Sequence, residues 1–180
     1  MLQITVPANE LWDANNKIFI PVKEQTLELE HSLISLSKWE SKRCKPFLSN
    51  QEKTFEETLE YIKCMTLTPN VDPLVYNCLT KENVDEITKY IYAPMTATTF
   101  SNDSNGKKNR EIITSELIYY WMISAQIPFE CENWHLNRLI TLIRVCNIKN
   151  QPPKKMSKRD IMSRNAALNA KRRQQLNSKG

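Results

Sequence analysis

The chain has 180 residues, 41% of them hydrophobic, which allows one domain with an ordinary core and an appendage, while two glycines in all leave no Gly-rich phosphate loop. Its net charge of +5 is unevenly spread: residues 147–180 hold ten Lys/Arg against one acid, Asp160, a local +9 that leaves the preceding residues at −4. An acidic body with a basic arm predicts two surfaces with different partners.

Residues 1–30 read as β structure. LQITVP, KIFIPV and QTLELEH alternate, placing Ile4 with Val6, Ile18 with Ile20 and Val22, and Leu27 with Leu29 on shared faces. Asn15-Asn16 marks a turn that tolerates left-handed backbone. From Ser32 the period lengthens, and Leu33, Leu36, Trp39 and Glu40 predict a short helix ending before Pro46. A second helix is expected at about 51–66, capped by Asn50 or Ser49, with Phe55, Leu59, Ile62 and Met65 along one face.

Two prolines in TPNVDPLVYNC predict a rigid connection, followed by a third helix over 81–92, capped by Thr80 and stopped by Pro94. MTATTF reads as extended, and SNDSNGKKNR as a loop. A fourth helix is expected over 112–125 and a fifth over 131–148. Beyond Pro152-Pro153, Ser157 and Asp160 resemble a capping box and predict a last helix at 158–176. Its large apolar residues are few (Ile161, Met162, Leu168 and Leu176), so it has little with which to dock on a core.

The five cysteines form no tight pairs, and MLQITVPANE does not read as a signal sequence, so the thiols are expected to be reduced. No apolar run reaches the ~18 residues of a membrane span. These features predict a soluble intracellular protein. Cys131 and His135 stand four apart and could share a helix face, but two ligands without a second pair make a buried thiol and a packed histidine the simpler reading. The acids of EKTFEETLEY suit the first turns of a helix, and no residue stands out as catalytic. Tyr119, Tyr120, Trp121 and Trp134 could stack on bases, but such residues more often pack in a core or an oligomer interface. The arm admits three readings: a solvated terminus, a phosphate-binding tail, or a segment that becomes helical on an acidic protein.

Three stretches resemble the tail assembly chaperones of long-tailed bacteriophages. They are LELEHSLISLSKWESKRCKPFLS (27–49), KTFEETLEYIKCMT (53–66) and IITSELIYYWMISAQIPFECENWHLNRLITLIRVCNIKNQPPKKMSKRDIMSRNAALNAKRRQQL (112–176). The resemblance implies a non-enzymatic protein, without cofactor or metal, that coats the helical tape-measure protein while tail-tube subunits polymerise around it. It implies action in the host cytoplasm during assembly and absence from the mature virion, with self-association left open and no membrane partner.

The expected architecture is therefore a mainly helical α+β fold. Residues 1–30 form a small N-terminal antiparallel β-sheet that shares one domain with a helical body at 31–148. A basic C-terminal helical arm covers 149–180. Partner binding is expected of the arm through Lys154, Lys155, Lys158, Arg159, Arg164, Lys171, Arg172 and Arg173. The alternative is a small nucleic-acid-binding protein that uses the same arm on phosphates.

Overall fold

A computed structural model describes residues 1–100, 112–151 and 157–177. The fold is mainly helical α+β, with its strands gathered at the N-terminus. Strand β1 (Leu2–Val6) pairs antiparallel with β4 (Gln25–Leu29), Ile4 opposite Leu27. Between them in sequence lies a hairpin of β2 (Asn9–Asp13) and β3 (Ile18–Val22), Trp12 opposite Phe19. Strand β2 departs from the sequence expectation. Asn9, Glu10 and Asp13 are weak strand formers, and the pairing with β3 supplies what their propensity lacks. In the turn, Asp13 Oδ1 accepts from the N–H of Asn15 (2.9 Å) and Asn16 (3.3 Å). That side-chain turn moves the left-handed residue to Lys17, at φ 52°, rather than to either asparagine.

Ile4, Val6, Val22, Leu27 and Leu29 are buried as their alternation requires, whereas Ile18 is exposed at the hairpin tip. Six helices follow. The first, α1 (Leu33–Arg43), is capped by Ser32 and ends at Cys44 in the left-handed region, before Pro46. Helix α2 spans Phe55–Met65 and is capped by Thr54 rather than by Asn50 or Ser49. Glu57, three residues on, returns a bond to the Thr54 N–H (3.0 Å), and this capping box decides among the candidate caps. Starting there turns Phe55 out to solvent, while Ile62 and Met65 stay buried and Tyr61 joins them.

The rigid connection is a short 3-10 helix, Pro73–Cys78. Helix α3 (Lys81–Tyr92) has the expected cap, Thr80, in a reciprocal box with Asn83. Residues 95–100 form no strand, and the expected loop at 101–110 lies outside the described residues. Helix α4 (Ser115–Ser124) is capped by Thr114, so Ile112 and Ile113 precede it. Helix α5 covers Leu136–Asn150 and starts later than expected. Residues Phe129–Asn133 form a 3-10 turn after Pro128, and His135 is drawn into a bridge with Ser32. Helix α6 (Lys158–Leu176) begins at Ser157 and ends at Asn177 in the left-handed region.

The chain divides into two compact units, Met1–Ile148 and Lys149–Gly180. In the first, α1 packs against both α2 and α4, and α3 lies on β1. Trp39 on α1 is buried, donates Nε1–H to the Glu57 carbonyl (3.0 Å) and meets Phe47 edge-on. Glu40, also buried, accepts from Phe47 N–H (2.8 Å) and from Ser115 N–H at the start of α4 (2.7 Å). One carboxylate thus closes the turn after α1 and satisfies an orphan donor of α4. No helix among the described residues is long and apolar enough to cross a membrane.

Candidate functional site

Of the eight predicted arm residues, Lys158, Arg159, Arg164, Lys171, Arg172 and Arg173 lie on α6 and are exposed. Lys154 and Lys155 lie outside the described residues. At 3.6 residues per turn, Lys158, Arg159 and Arg173 fall on one side of α6, Arg164 and Lys171 on the opposite side, and Arg172 between them. The helix is ringed by cations, and Ile161 and Leu168 make only a narrow strip. No residue of α6 is buried.

The aromatic run on α4 divides. Ile118 and Met122 enter the core, and Tyr119 is half-buried with its hydroxyl donating to Glu132 (2.8 Å). Burial, reinforced by that bond, pushes the Tyr119 phenol up. Tyr120 and Ile123, one turn apart, face solvent, as does Phe129 just beyond the helix. Trp134 packs against the core under the Arg138 guanidinium, 4.1 Å from its ring.

Cys131 and His135 do not share a helix. Cys131 is buried in the 3-10 turn, and His135 precedes α5 in extended backbone. Both nitrogens of His135 are occupied: Nδ1 accepts from Asn137 N–H (3.3 Å) and Nε2–H donates to the Tyr90 carbonyl (3.0 Å). Among the described residues no three His, Cys, Asp or Glu side chains are gathered to hold a metal ion.

A polar seam not foreseen from the sequence runs through the core around His135. Its ring lies edge-on to Tyr90 (4.9 Å between centroids) and to His31 (5.1 Å). Tyr90 donates to Glu30 Oε1 (2.7 Å), and the Met1 ammonium sits 2.9 Å from Glu30 Oε2. On the other side His31 Nδ1 lies 2.5 Å from the Tyr61 hydroxyl. Burial, reinforced by its neighbour His135, depresses His31 to about 3. Burial also lowers His135, and it pushes the Tyr61 phenol well up. All three are therefore neutral at pH 7.

A cavity of about 580 Å³ opens beside this seam, flanked by α2, α3 and residues 47–53. Ile62, Ile87 and Ile91 give it apolar walls, His31 and Tyr61 contribute buried polar groups, and Thr88 and Tyr92 stand among its exposed lining. Nothing in the sequence joins His31, Tyr61 and Asn137, which reach this cavity from separate segments.

Comparison with protein-family models, with curated proteins and with solved structures yields no match to this chain.

Proposed function

We propose that this protein is a bacteriophage tail assembly chaperone, a non-enzymatic protein that transiently holds the tape-measure protein and recruits tail-tube subunits during tail morphogenesis. It works in the host cytoplasm and is left out of the mature virion. The observation that supports this reading is the division of labour along the chain: a folded body exposing Tyr120, Ile123 and Phe129, and a separate helix with six exposed cations and no buried residue. Apolar side chains hold helical clients by contact, at short range and with little salt dependence. A cationic helix attracts acidic partners over about a Debye length and needs no fixed docking geometry.

The test is a complementation assay with Lys154, Lys155, Lys158, Arg159, Arg164, Lys171, Arg172 and Arg173 all changed to Gln. The expected result is a client that stays soluble on co-expression, with tails that fail to form. Normal tails from this variant would reduce the arm to a solvated terminus. Tight DNA binding by the wild type that falls steeply with salt, and disappears in the variant, would favour the nucleic-acid reading instead.

A further inference from the structure

We propose that the cavity between α2 and α3 is an anchor pocket for a tyrosine side chain carried on a helix of a protein partner, with His31 donating to the phenol oxygen and Asn137 accepting its proton. Only the identity of that partner rests on the chaperone reading; the pocket chemistry stands by itself.

Two polar groups that line this cavity leave hydrogen bonds unmade among the described residues. The Tyr61 hydroxyl is buried, and His31 Nδ1 is its hydrogen-bond partner among the described residues. In the tautomer that lets the Tyr61 hydroxyl donate to Nδ1, the imidazole hydrogen resides on His31 Nε2. His31 Nε2 has no protein partner among the described hydrogen bonds, although the residue is 2% exposed. Yet no fully enclosed side-chain nitrogen or oxygen among the described residues lacks one. The Nε2–H group therefore reaches open space, and the space that His31 lines is this cavity.

Asn137 supplies the complement. Its Nδ2 donates to the carbonyls of Ile91 (3.0 Å) and Ala93 (2.8 Å), which fixes the amide orientation and leaves Oδ1 as an acceptor with no described partner. Asn137 lines the same cavity, and His135 links the two residues, its ring edge-on to His31 and its Nδ1 accepting from the Asn137 N–H. A donor and an acceptor that line one cavity together with Ile62, Ile87 and Ile91 match a hydroxyl on an apolar body.

The side-chain inventory narrows the occupant. Lysine, arginine and tryptophan bring only donors and cannot satisfy His31 Nε2–H. Burying a carboxylate there costs too much, and phenylalanine or leucine leaves both polar groups unpaired. Serine and threonine do not fill the volume. Tyrosine combines an apolar ring with a hydroxyl that both donates and accepts. Two helices flank the opening, and Tyr92 (80% exposed) stands among its lining at the end of α3. Such a groove receives a third helix, with its anchor lodged between the walls.

The probe is p-cresol, the tyrosine side chain as a free molecule, titrated into the full chain with amide shifts read at Ile62, Ile87 and Ile91. Expected is saturable binding at about millimolar concentration, about tenfold tighter than toluene, which has the same ring without the hydroxyl. In His31→Phe the preference for p-cresol over toluene falls to about one. Thr88→Trp, a change at an exposed position on the lining, blocks both ligands and keeps the test open if His31→Phe does not fold. Absent or non-saturating shifts, or equal binding of the two ligands to the wild type, would overturn the pocket. A second arm separates this inference from the chaperone reading. If the wild type holds a helical client and Thr88→Trp holds it equally well, the cavity is not the anchor pocket and the chaperone reading survives. If neither holds a client while p-cresol binds as expected, the pocket stands and its partner is another protein.

Discussion

The body over Met1–Ile148 and the segment over Lys149–Gly180 reach helical structure by different routes. In the body, helices are amphipathic, and Leu33, Leu36, Ile62, Met65, Ile87, Ile118, Met122 and Leu136 bury their side chains together. Among the described residues its enclosed polar side-chain groups are paired, as with Glu40 between two backbone N–H groups. Helix α6 has a cap, no internal glycine or proline and three alanines, but no buried residue. Helicity there comes from local propensity, which contributes only tenths of a kcal/mol per residue. A helix with no buried residue keeps its cations at the surface, where a partner can reach them.

The largest effect should come from trading the same change between the two regions. Trp39→Ala removes a buried indole with its bond to the Glu57 carbonyl, and we expect a loss of about 3–5 kcal/mol in urea unfolding. Leu168→Ala on α6 should move the same midpoint by no more than about 0.5 kcal/mol. A comparable loss from Leu168→Ala would mean that α6 contributes to the folding unit, and the contrast would collapse.

The buried histidines sharpen the contrast through pH. His31 titrates near 6.5 in an unfolded chain and near 3 in the fold, so between those values the unfolded chain binds the extra proton. Its contribution is complete above about pH 6.5 and is lost as pH falls, at about 1.4 kcal/mol per pH unit. His135 shifts in the same direction, against the pull of Glu30 and the Tyr90 carbonyl. We expect the wild type to lose about 2 kcal/mol between pH 6.5 and 5 from His31 alone, and His31→Gln to flatten that slope. Circular dichroism of a peptide spanning 157–177, which contains no histidine, should show no corresponding step.

The same capping chemistry occurs in both regions, which permits a matched test. Thr54 caps α2 and Ser157 caps α6, each accepting from the backbone N–H three residues on. Thr54→Ala should cost about 1 kcal/mol of global stability, because α2 is folded only with the core. Ser157→Ala should lower helical content over 158–176 and leave the unfolding midpoint in place, since no residue of that helix is buried. Residue-level helicity from carbon chemical shifts, read beside the urea curve, distinguishes the two results.

What the sequence disclosed follows the range of the interaction concerned. Thr80 and Ser157 are legible as caps because the signal lies within one turn, and Pro46 and Pro94 stop helices for reasons internal to the chain. Thr54 was hidden among Ser49, Asn50 and its other polar neighbours, and only the reach of Glu57 selects it. Strand β2 and the late start of α5 depend on partners elsewhere in the chain, Ile18–Val22 in one case and Ser32 in the other. The cavity was invisible for the same reason. His31, Tyr61 and Asn137 have no mutual spacing to detect, and only packing brings them to one cavity. Charge was the opposite case: composition located the basic arm, but the ring of cations required the helical register.

The smallest expected effect on stability decides most about the arm. Changing Lys154, Lys155, Lys158, Arg159, Arg164, Lys171, Arg172 and Arg173 to Gln exchanges one helix-favouring side chain for another, so secondary structure over 158–176 should persist. Exposed charges contribute at most about 1 kcal/mol each to folding and often nothing measurable, so the melting temperature of the body should move by no more than about 2 °C. Because the described cations surround α6, a partner that docks on one side meets only some of them. Neutralising Lys158, Arg159 and Arg173 alone, or Arg164 and Lys171 alone, then tells a docked partner from a diffuse attraction. If recruitment depends on one trio or pair, α6 presents a face. If each subset weakens recruitment in proportion to the charge removed, and added salt does the same to the wild type, the helix acts through its field. The even distribution of its cations predicts the second outcome.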